Sequence, residues 1–354
     1  MDYRQYLGEL LTYTAQNGAS DLHLSPGNYP TVRIDGRLVS VPNKQILDKT
    51  TLEGLIFTLL GEERKKRFLT EKELDFSYDH DQEKARFRVN TYLSRGDMAA
   101  ALRLIPNEIR TIEELGLPQV IKVFSKLSQG FVLVVGPNGH GKSTTIAGII
   151  NLINKERSEK IVTIEDPIEY VFTPEKSIID QREVEQDTLS FHKALKSTFR
   201  QNVNVIMVGE LRDYETMSTA VMAAETGHLV FASLHTNSAS QTIERIINSF
   251  PANQQQQIRI QLASTISGII SQRLVPGIKG GLIPAVEVMV ATNAVRNLII
   301  DNRVRQIDLV IETSQEMGMI SLDRSLADLV RKKLITLEKA EFFSLNPNNI
   351  KAFL

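Results

Sequence analysis

Cysteine is missing from the 354 residues, which rules out disulfide staples and thiolate zinc sites alike. A charge excess of either sign is missing too. The formal net charge is -1, so no global basic field points to nucleic acid or an anionic membrane as an obligate partner. No run of about 18 apolar residues occurs, so no segment is expected to insert into a bilayer, and any membrane link should pass through a partner. The opening stretch MDYRQYLGELLTYTAQNGASD carries acids early and has no long apolar core, unlike a secretory leader. The lack of cysteine suits a reducing cytosol. What is present is a hydrophobic fraction of 42%, enough for real cores. At roughly 100–200 residues per domain the length suggests two or three domains.

The first part reads as a small α+β domain over 1–106. Tyr6, Leu7, Leu10, Leu11 and Ala15 fall at helical spacing. DLHLSPG and TVRIDGRLVSV alternate around a turn between Asp35 and Arg37, as in a hairpin. A helix capped by Asp48 or Thr50 follows, and LDFSYDH and ARFRVNTYLSRGDMAAALRLIP read as antiparallel strands. Residues 107–119, with IRTIEELGLP and the punctuating Pro118, read as a linker. From 120 to 354 the texture changes. GFVLVVG, KIVTIED, NVIMVGE and HLVFASL are near-continuous apolar strands interleaved with helical stretches, the pattern of an α/β domain with a mostly parallel sheet. The tail after about 255 reads as helical, including QQIRIQLASTISGIISQRLV, TNAVRNLIIDNRVRQIDLVIE and SLDRSLADLVRKKLI.

GPNGHGKST fits G-x-x-x-x-G-K-[ST] at Gly136, Gly141, Lys142 and Ser143, between an apolar strand and a helix pattern. Backbone N–H groups must point inward at phosphate oxygens, and Gly136, Gly139 and Gly141 permit that. Lys142 is expected to neutralise β- and γ-phosphates, Ser143 to offer its hydroxyl to Mg²⁺, and the helix to aim its N-terminal dipole at the same charge.

Hydrolysis needs further carboxylates. VNVIMVGELRD ends an apolar strand in Glu210, placed to orient Mg²⁺ and water. IVTIEDPIEY puts Glu165 and Asp166 after another strand, and Pro167 turns the chain. A carboxylate held there could polarise the attacking water. ETGHLVFASLHTNSA carries His228 and His235 at the two ends of one strand. His228 is expected to lie near the γ-phosphate and report its presence. No zinc-ligand spacing involves either histidine.

With these segments in order, the chain resembles the secretion and pilus motor ATPases, a branch of the RecA-like fold. GPNGHGKSTT is similar to their Walker A, TIEDPIEY to their Asp box, MVGELRDYET to their Walker B, and TGHLVFASLHTNSA to their His box. GASDLHLSPG and RFRVNTYLSRG resemble the family's N-terminal domain, while NAVRNLI and SLADLVRKKLIT resemble the C-terminal region of the type IV pilus retraction (PilT-like) branch. The lack of a tetracysteine module also favours that branch. One departure stands in the loop interior, which reads PNGH where the family usually shows PTGS, so His140 is bulkier than its counterpart and could add partial charge near the phosphates.

The resemblance implies a PAS-like N-terminal domain before a RecA-like ATPase domain with a helical C-terminal region. It implies ATP and Mg²⁺, with Gly136, Pro137, Asn138, Gly139, His140, Gly141, Lys142, Ser143 and Thr144 around the phosphates and Ser143 and Glu210 at the metal. It implies Glu165 as general base, His228 as sensor, and Arg86, Arg88 and Arg103 as charge stabilisers, the first two sharing a strand face. It further implies a homo-hexamer docked at the inner face of the cytoplasmic membrane on a platform protein, with a paralogous pilus ATPase as a further possible partner. NAVRNLI is then expected to couple hydrolysis to movement, with Arg296 and Asn297 facing outward. The competing expectations are an assembly or type II secretion ATPase, a weakly hydrolysing nucleotide-gated ring partner, and a nucleic-acid translocase. The near-neutral charge and the lack of a basic-aromatic stripe speak against the last.

Overall fold

A computed structural model describes residues 2–34, 36–80, 85–105 and 108–354. Asp35 and Pro106, at the expected hairpin turn and domain boundary, lie outside the described residues. The chain divides into two compact units.

The first unit comprises the residues up to Glu108 together with Pro167–Val171. Helix α1 (Tyr3–Gln16) starts where the Asp2 carboxylate accepts the backbone N–H groups of Arg4 and Gln5, and it buries Leu7, Leu10 and Leu11. Strands β1 (Asp21–Leu24), β2 (Thr31–Ile34) and β3 (Arg37–Ser40) lead to α2 (Lys49–Glu71). Asp48 caps α2 by accepting the Thr51 N–H at 2.7 Å. Strands β4 (Glu73–His80), β5 (Ala85–Ser94) and β6 (Asp97–Ile105) complete an antiparallel sheet of order β3-β2-β1-β6-β5-β4. Alternation along β5 buries Ala85, Phe87 and Val89 and turns Arg86 and Arg88 to the other face. Leu22, Leu24, Val32, Phe87, Val89 and Leu102 form a core with Leu52, Leu55 and Ile56 of α2. Each such burial contributes about 1.5–3 kcal/mol relative to exposure.

The second unit comprises Ile109–Asp166 and Phe172–Leu354. Within it, Ile112 and Leu117 of the expected linker are buried, and the Arg110 carbonyl closes over Gly148, where an added Cβ would sit 3.2 Å away. Strand β7 (Gly130–Val135), helix α3 (Lys142–Glu156), β8 (Lys160–Glu165), β9 (Ile178–Glu183), α4 (Phe191–Thr198), β10 (Val205–Val208), α5 (Tyr214–Glu225) and β11 (Leu229–Leu234) alternate as expected. All six residues of β7 and of β11 are buried, which is why both read as unbroken apolar runs. Helices α6 (Ala239–Asn248) and α7 (Gln255–Thr265) follow.

The next segment departs from the helical expectation. QQIRIQLASTISGIISQRLV is helix only to Thr265. From there β12 (Ile266–Pro276) runs parallel to β7 and pairs antiparallel with β13 (Leu282–Val290). The β-branched residues after Thr265 and the close packing of Gly268 on the Phe124 ring, where a Cβ would sit 2.1 Å from a ring carbon, explain the switch. The sheet order is β13-β12-β7-β11-β10-β8-β9. Helices α8 (Asn293–Ile300), α9 (Ile307–Thr313), α10 (Leu322–Arg331) and α11 (Leu337–Phe343) then form a helical tail. On α8, Val295 and Ile299 are buried and Asn297 is exposed, as the stripe predicts. Arg296 does not face freely outward: its guanidinium donates to the Ala263 carbonyl and, at 2.7 Å, to the Ser264 carbonyl at the end of α7.

Candidate active site

The loop 136–141 joins the C-terminal end of β7 to the N-terminus of α3. Gly136 has φ +146°, and a Cβ there would lie 2.3 Å from the Gln272 carbonyl oxygen, so only glycine fits. Gly139 and Gly141 have φ +75° and +77°. The Asn138 side chain accepts the Gly139 N–H at 3.0 Å. Lys142 is buried, and its ammonium donates back across the loop to the carbonyls of Gly136 at 3.0 Å and Pro137 at 2.9 Å.

Because β7, β8, β10 and β11 are parallel, their C-terminal ends meet at this loop. Ligands of open parallel sheets bind at that edge. Glu165 ends β8 and is buried, accepting from Thr163 Oγ1 at 2.6 Å and Gln181 Nε2 at 3.3 Å. Glu210 follows β10, its loop tied to β8 by the Gly209 N–H on the Ile164 carbonyl at 2.8 Å. The Glu210 carboxylate accepts from Arg212 at 2.5 Å, and Arg212 also reaches Asp166 at 3.3 Å. Burial alone would raise the Glu210 carboxyl, but Arg212 and His235 outweigh it and hold it below the usual range.

His235 closes the row. Its Nδ1 lies 3.3 Å from the Lys142 ammonium and its Nε2 lies 3.6 Å from Glu210. An ammonium only donates, so Nδ1 accepts and the ring proton sits on Nε2, facing the carboxylate. Burial first, then the Lys142 charge, keep the imidazole below its ordinary pKa despite the pull of Glu210. A continuous polar row therefore runs from Asp166 through Arg212, Glu210 and His235 to Lys142.

His228 is not part of that row. It precedes β11, and its backbone carbonyl accepts the N–H of Gly130 at the start of β7. That is the opposite end of the strand from the loop, roughly 20 Å away at about 3.3 Å per residue. Its Nδ1 donates to the Ala223 carbonyl at 2.9 Å and its ring meets Phe199 edge-on. The expectation that His228 lies near this loop's phosphates does not match its place in the fold, and the histidine at the phosphate end of the strand is His235. Parallel strands bring C-terminal ends together, and His235, like Glu165 and Glu210, follows its strand. Gln272, Leu274 and Arg212 were also missed, the first two because their segment was read as helix.

In the first unit, Arg88 on β5 and Arg103 on β6 are register partners. Arg103 donates to Asp21 at 3.0 Å, and Arg33 approaches the same carboxylate at 3.7 Å from β2. Arg86 is held by Asp79 at 2.9 and 3.1 Å. Beside the loop of the second unit lies a cavity of about 360 Å³, lined by Arg110, Leu117, Thr144, Thr145, Leu274 and Pro284 among others.

A glycine cradle at a helix N-terminus, a buried lysine across it and acids at neighbouring strand ends define a P-loop nucleotide hydrolase. A family model described as type II/IV secretion system protein matches residues 4–327. The chain is 43% identical over 343 residues to the type IV pilus retractation ATPase PilT of Pseudomonas aeruginosa, covering 96% of this chain and 98% of that one. It is 41% identical over 314 residues to a twitching motility protein of Neisseria gonorrhoeae, covering 88% and 83%. A crystal structure of the pilus retraction motor PilT with bound ADP matches with a TM-score of 0.91 at 43% identity, over 98% of each chain. The chain belongs to the type II/IV secretion system protein family and is an ATPase.

Proposed function

We propose that this ATPase is the motor of type IV pilus retraction, working as a homo-hexameric ring against a platform protein at the inner face of the cytoplasmic membrane. The observation that carries this is the span of the likeness to the ADP-bound motor, which takes in 98% of both chains and so both units. In this reading residues 1–106 are a PAS-like domain, 107–119 a link, and 120–354 a RecA-like domain with a helical tail. A paralogous pilus ATPase is a further partner. No described helix is long and apolar enough to cross a membrane, so membrane docking falls to the platform.

The site supports the following chemistry. The loop N–H groups and the start of α3 receive the phosphates, and Lys142 exchanges its loop carbonyls for phosphate oxygens. Thr144 lines the neighbouring cavity, which suits the remainder of the nucleotide. The Ser143 hydroxyl and the Glu210 carboxylate are hard oxygen donors, the kind Mg²⁺ takes alongside water and phosphate oxygens. When bound, Mg²⁺ supplies neutralisation of charge on the phosphates. Glu165 accepts the proton of the attacking water. His235 reads the γ-phosphate through Lys142 and passes the change to Glu210. Arg86, Arg88 and Arg103, on the face of the first unit, stabilise developing charge, as arginine fingers do.

A chromosomal deletion tests the assignment. Surplus surface pili with lost twitching supports retraction, whereas bald cells mean an assembly role. Phosphate release by purified protein, compared with Glu210→Gln, separates a motor from a ring partner that barely hydrolyses ATP.

A further inference from the structure

β12 outruns its neighbour. The last pair between β7 and β12 joins Val135 to Ser271, yet β12 continues to Pro276. Beyond Ser271 the edge facing β7, opposite β13, carries backbone groups with no strand beside them among the described residues, and such groups require partners. The phosphate loop supplies these. The Gln272 carbonyl lies against Gly136. Two residues on, and so on the same edge of the strand, the Leu274 N–H donates to His140 Nδ1 at 2.9 Å. The Gln272 side chain adds two bonds: its amide donates to the His140 carbonyl at 2.9 Å, and its carbonyl accepts from Thr145 Oγ1 in the first turn of α3 at 2.7 Å. The loop and the helix start are therefore braced on one short stretch, Gln272 to Leu274.

We propose that His140 is a positioning residue of the ATPase, its imidazole standing in for the missing strand partner at Leu274 and so holding the phosphate loop in its nucleotide-receiving shape. The proposal rests on the ATPase reading of the loop. Only an unprotonated Nδ1 can accept the Leu274 N–H, which places the ring proton on Nε2. An imidazolium has two donors and no acceptor, so protonation breaks the brace. The charged groups facing the ring are Arg273 of β12 and Lys142 at the start of α3. Burial first, and these two cations after it, hold the ring below its ordinary pKa and keep the acceptor available at neutral pH.

The experiment is steady-state phosphate release by the full chain with ATP titrated at pH 8 and pH 5.5, for wild type, His140→Asn and His140→Ala. Asparagine carries an acceptor oxygen on Cγ where the imidazole carries Nδ1, and it does not titrate. His140→Ala is expected to raise KM for ATP about fivefold at pH 8, the worth of one net hydrogen bond, with kcat changed far less. His140→Asn restores KM to near the wild-type value. As pH falls through the ring's lowered pKa the wild-type KM rises toward that of His140→Ala, relative to His140→Asn. His235 and Glu287 are common to all three proteins and cancel in that ratio. A His140→Ala KM equal to wild type, an asparagine variant no better than alanine, or identical pH dependence of wild type and His140→Asn would each overturn the proposal. Should His140→Ala fail to fold, the pH comparison between the other two decides. Absence of turnover in the wild type would instead count against the ATPase reading.

Discussion

His235 Nδ1 stands 3.3 Å from the ammonium of Lys142, while the opposite ring nitrogen faces Glu210 at 3.6 Å. One imidazole thus joins the lysine of the phosphate loop to the carboxylate of the neighbouring strand end. In the proposed reading, a phosphate oxygen that draws Lys142 off its carbonyl partners would also change what His235 accepts, and the change would reach Glu210 through the same ring.

His235→Ala should therefore lower kcat by about 10- to 100-fold, the range for losing a partner that orients a functional group. His228→Ala should act differently. It removes a donor to the Ala223 carbonyl and an edge contact with Phe199, so it should cost about 1 kcal/mol of stability and little of kcat. Phosphate release and thermal melts of the two proteins separate these outcomes. A larger kcat loss at His228 would return the sensor role to it.

Glu165→Gln should depress kcat by roughly 10²- to 10⁴-fold, the contribution of a positioned general base, with ATP binding retained. The amide can still accept from Thr163 and face Gln181, so the fold should survive. Single-turnover hydrolysis beside equilibrium nucleotide binding is the measurement, and near-normal single-turnover rates would exclude Glu165 as the base.

Gly136→Ala should abolish nucleotide binding. The new Cβ would fall 2.3 Å from the Gln272 carbonyl oxygen, a backbone atom that cannot swing aside. The loop would have to leave β12, taking the His140 brace with it. Gly139→Ala meets no atom within 4 Å and carries only the strain of its positive φ, so its binding loss should be smaller. Titration calorimetry with ADP would rank the two.

Glu287 sits buried on β13, accepting the Ala239 N–H at 2.7 Å where α6 begins. Burial above all pushes its carboxyl from an ordinary 4.5 up to about 7. A carboxyl raised on folding binds more protons in the folded state. Its stabilising contribution is complete below its unfolded pKa and is lost as pH rises through its folded one. Glu287→Gln mimics the protonated form at every pH. It should match wild type near pH 4 and exceed it by roughly 1–3 kcal/mol above pH 7. Urea unfolding across that window checks the sign, and a variant weaker than wild type at pH 8 would contradict it.

Asn297→Ala, on the exposed face of α8, should leave phosphate release intact while twitching stops. Arg296→Ala is a less clean probe than its sequence context implies, because the guanidinium holds carbonyls at the end of α7. It should also lower the melting temperature. Lost hydrolysis in Asn297→Ala would tie α8 to the chemistry rather than to coupling.

The phosphate loop was legible from residues alone because its chemistry is local. Glycines at set spacing make a turn that tolerates inward N–H groups, and a strand before and a helix after complete the cradle. The acids at Glu165 and Glu210 were legible for a related reason, since each ends an apolar run. The Asp48 cap and the alternation of Arg86 and Arg88 followed equally from short-range rules. What local pattern left open was which end of β11 meets the loop, and its apolar residues are alike from either side. Only the parallel pairing of β11 with β7, set by the core between helices and sheet, put His235 at the site and His228 far from it. The same holds for Gln272 and Leu274. Their stretch supports a helix by periodicity and a strand by β-branching, and the exposed flank of β7 decided for the strand. Partners for backbone groups are assigned by the whole sheet, so the brace on the phosphate loop came from tertiary structure alone.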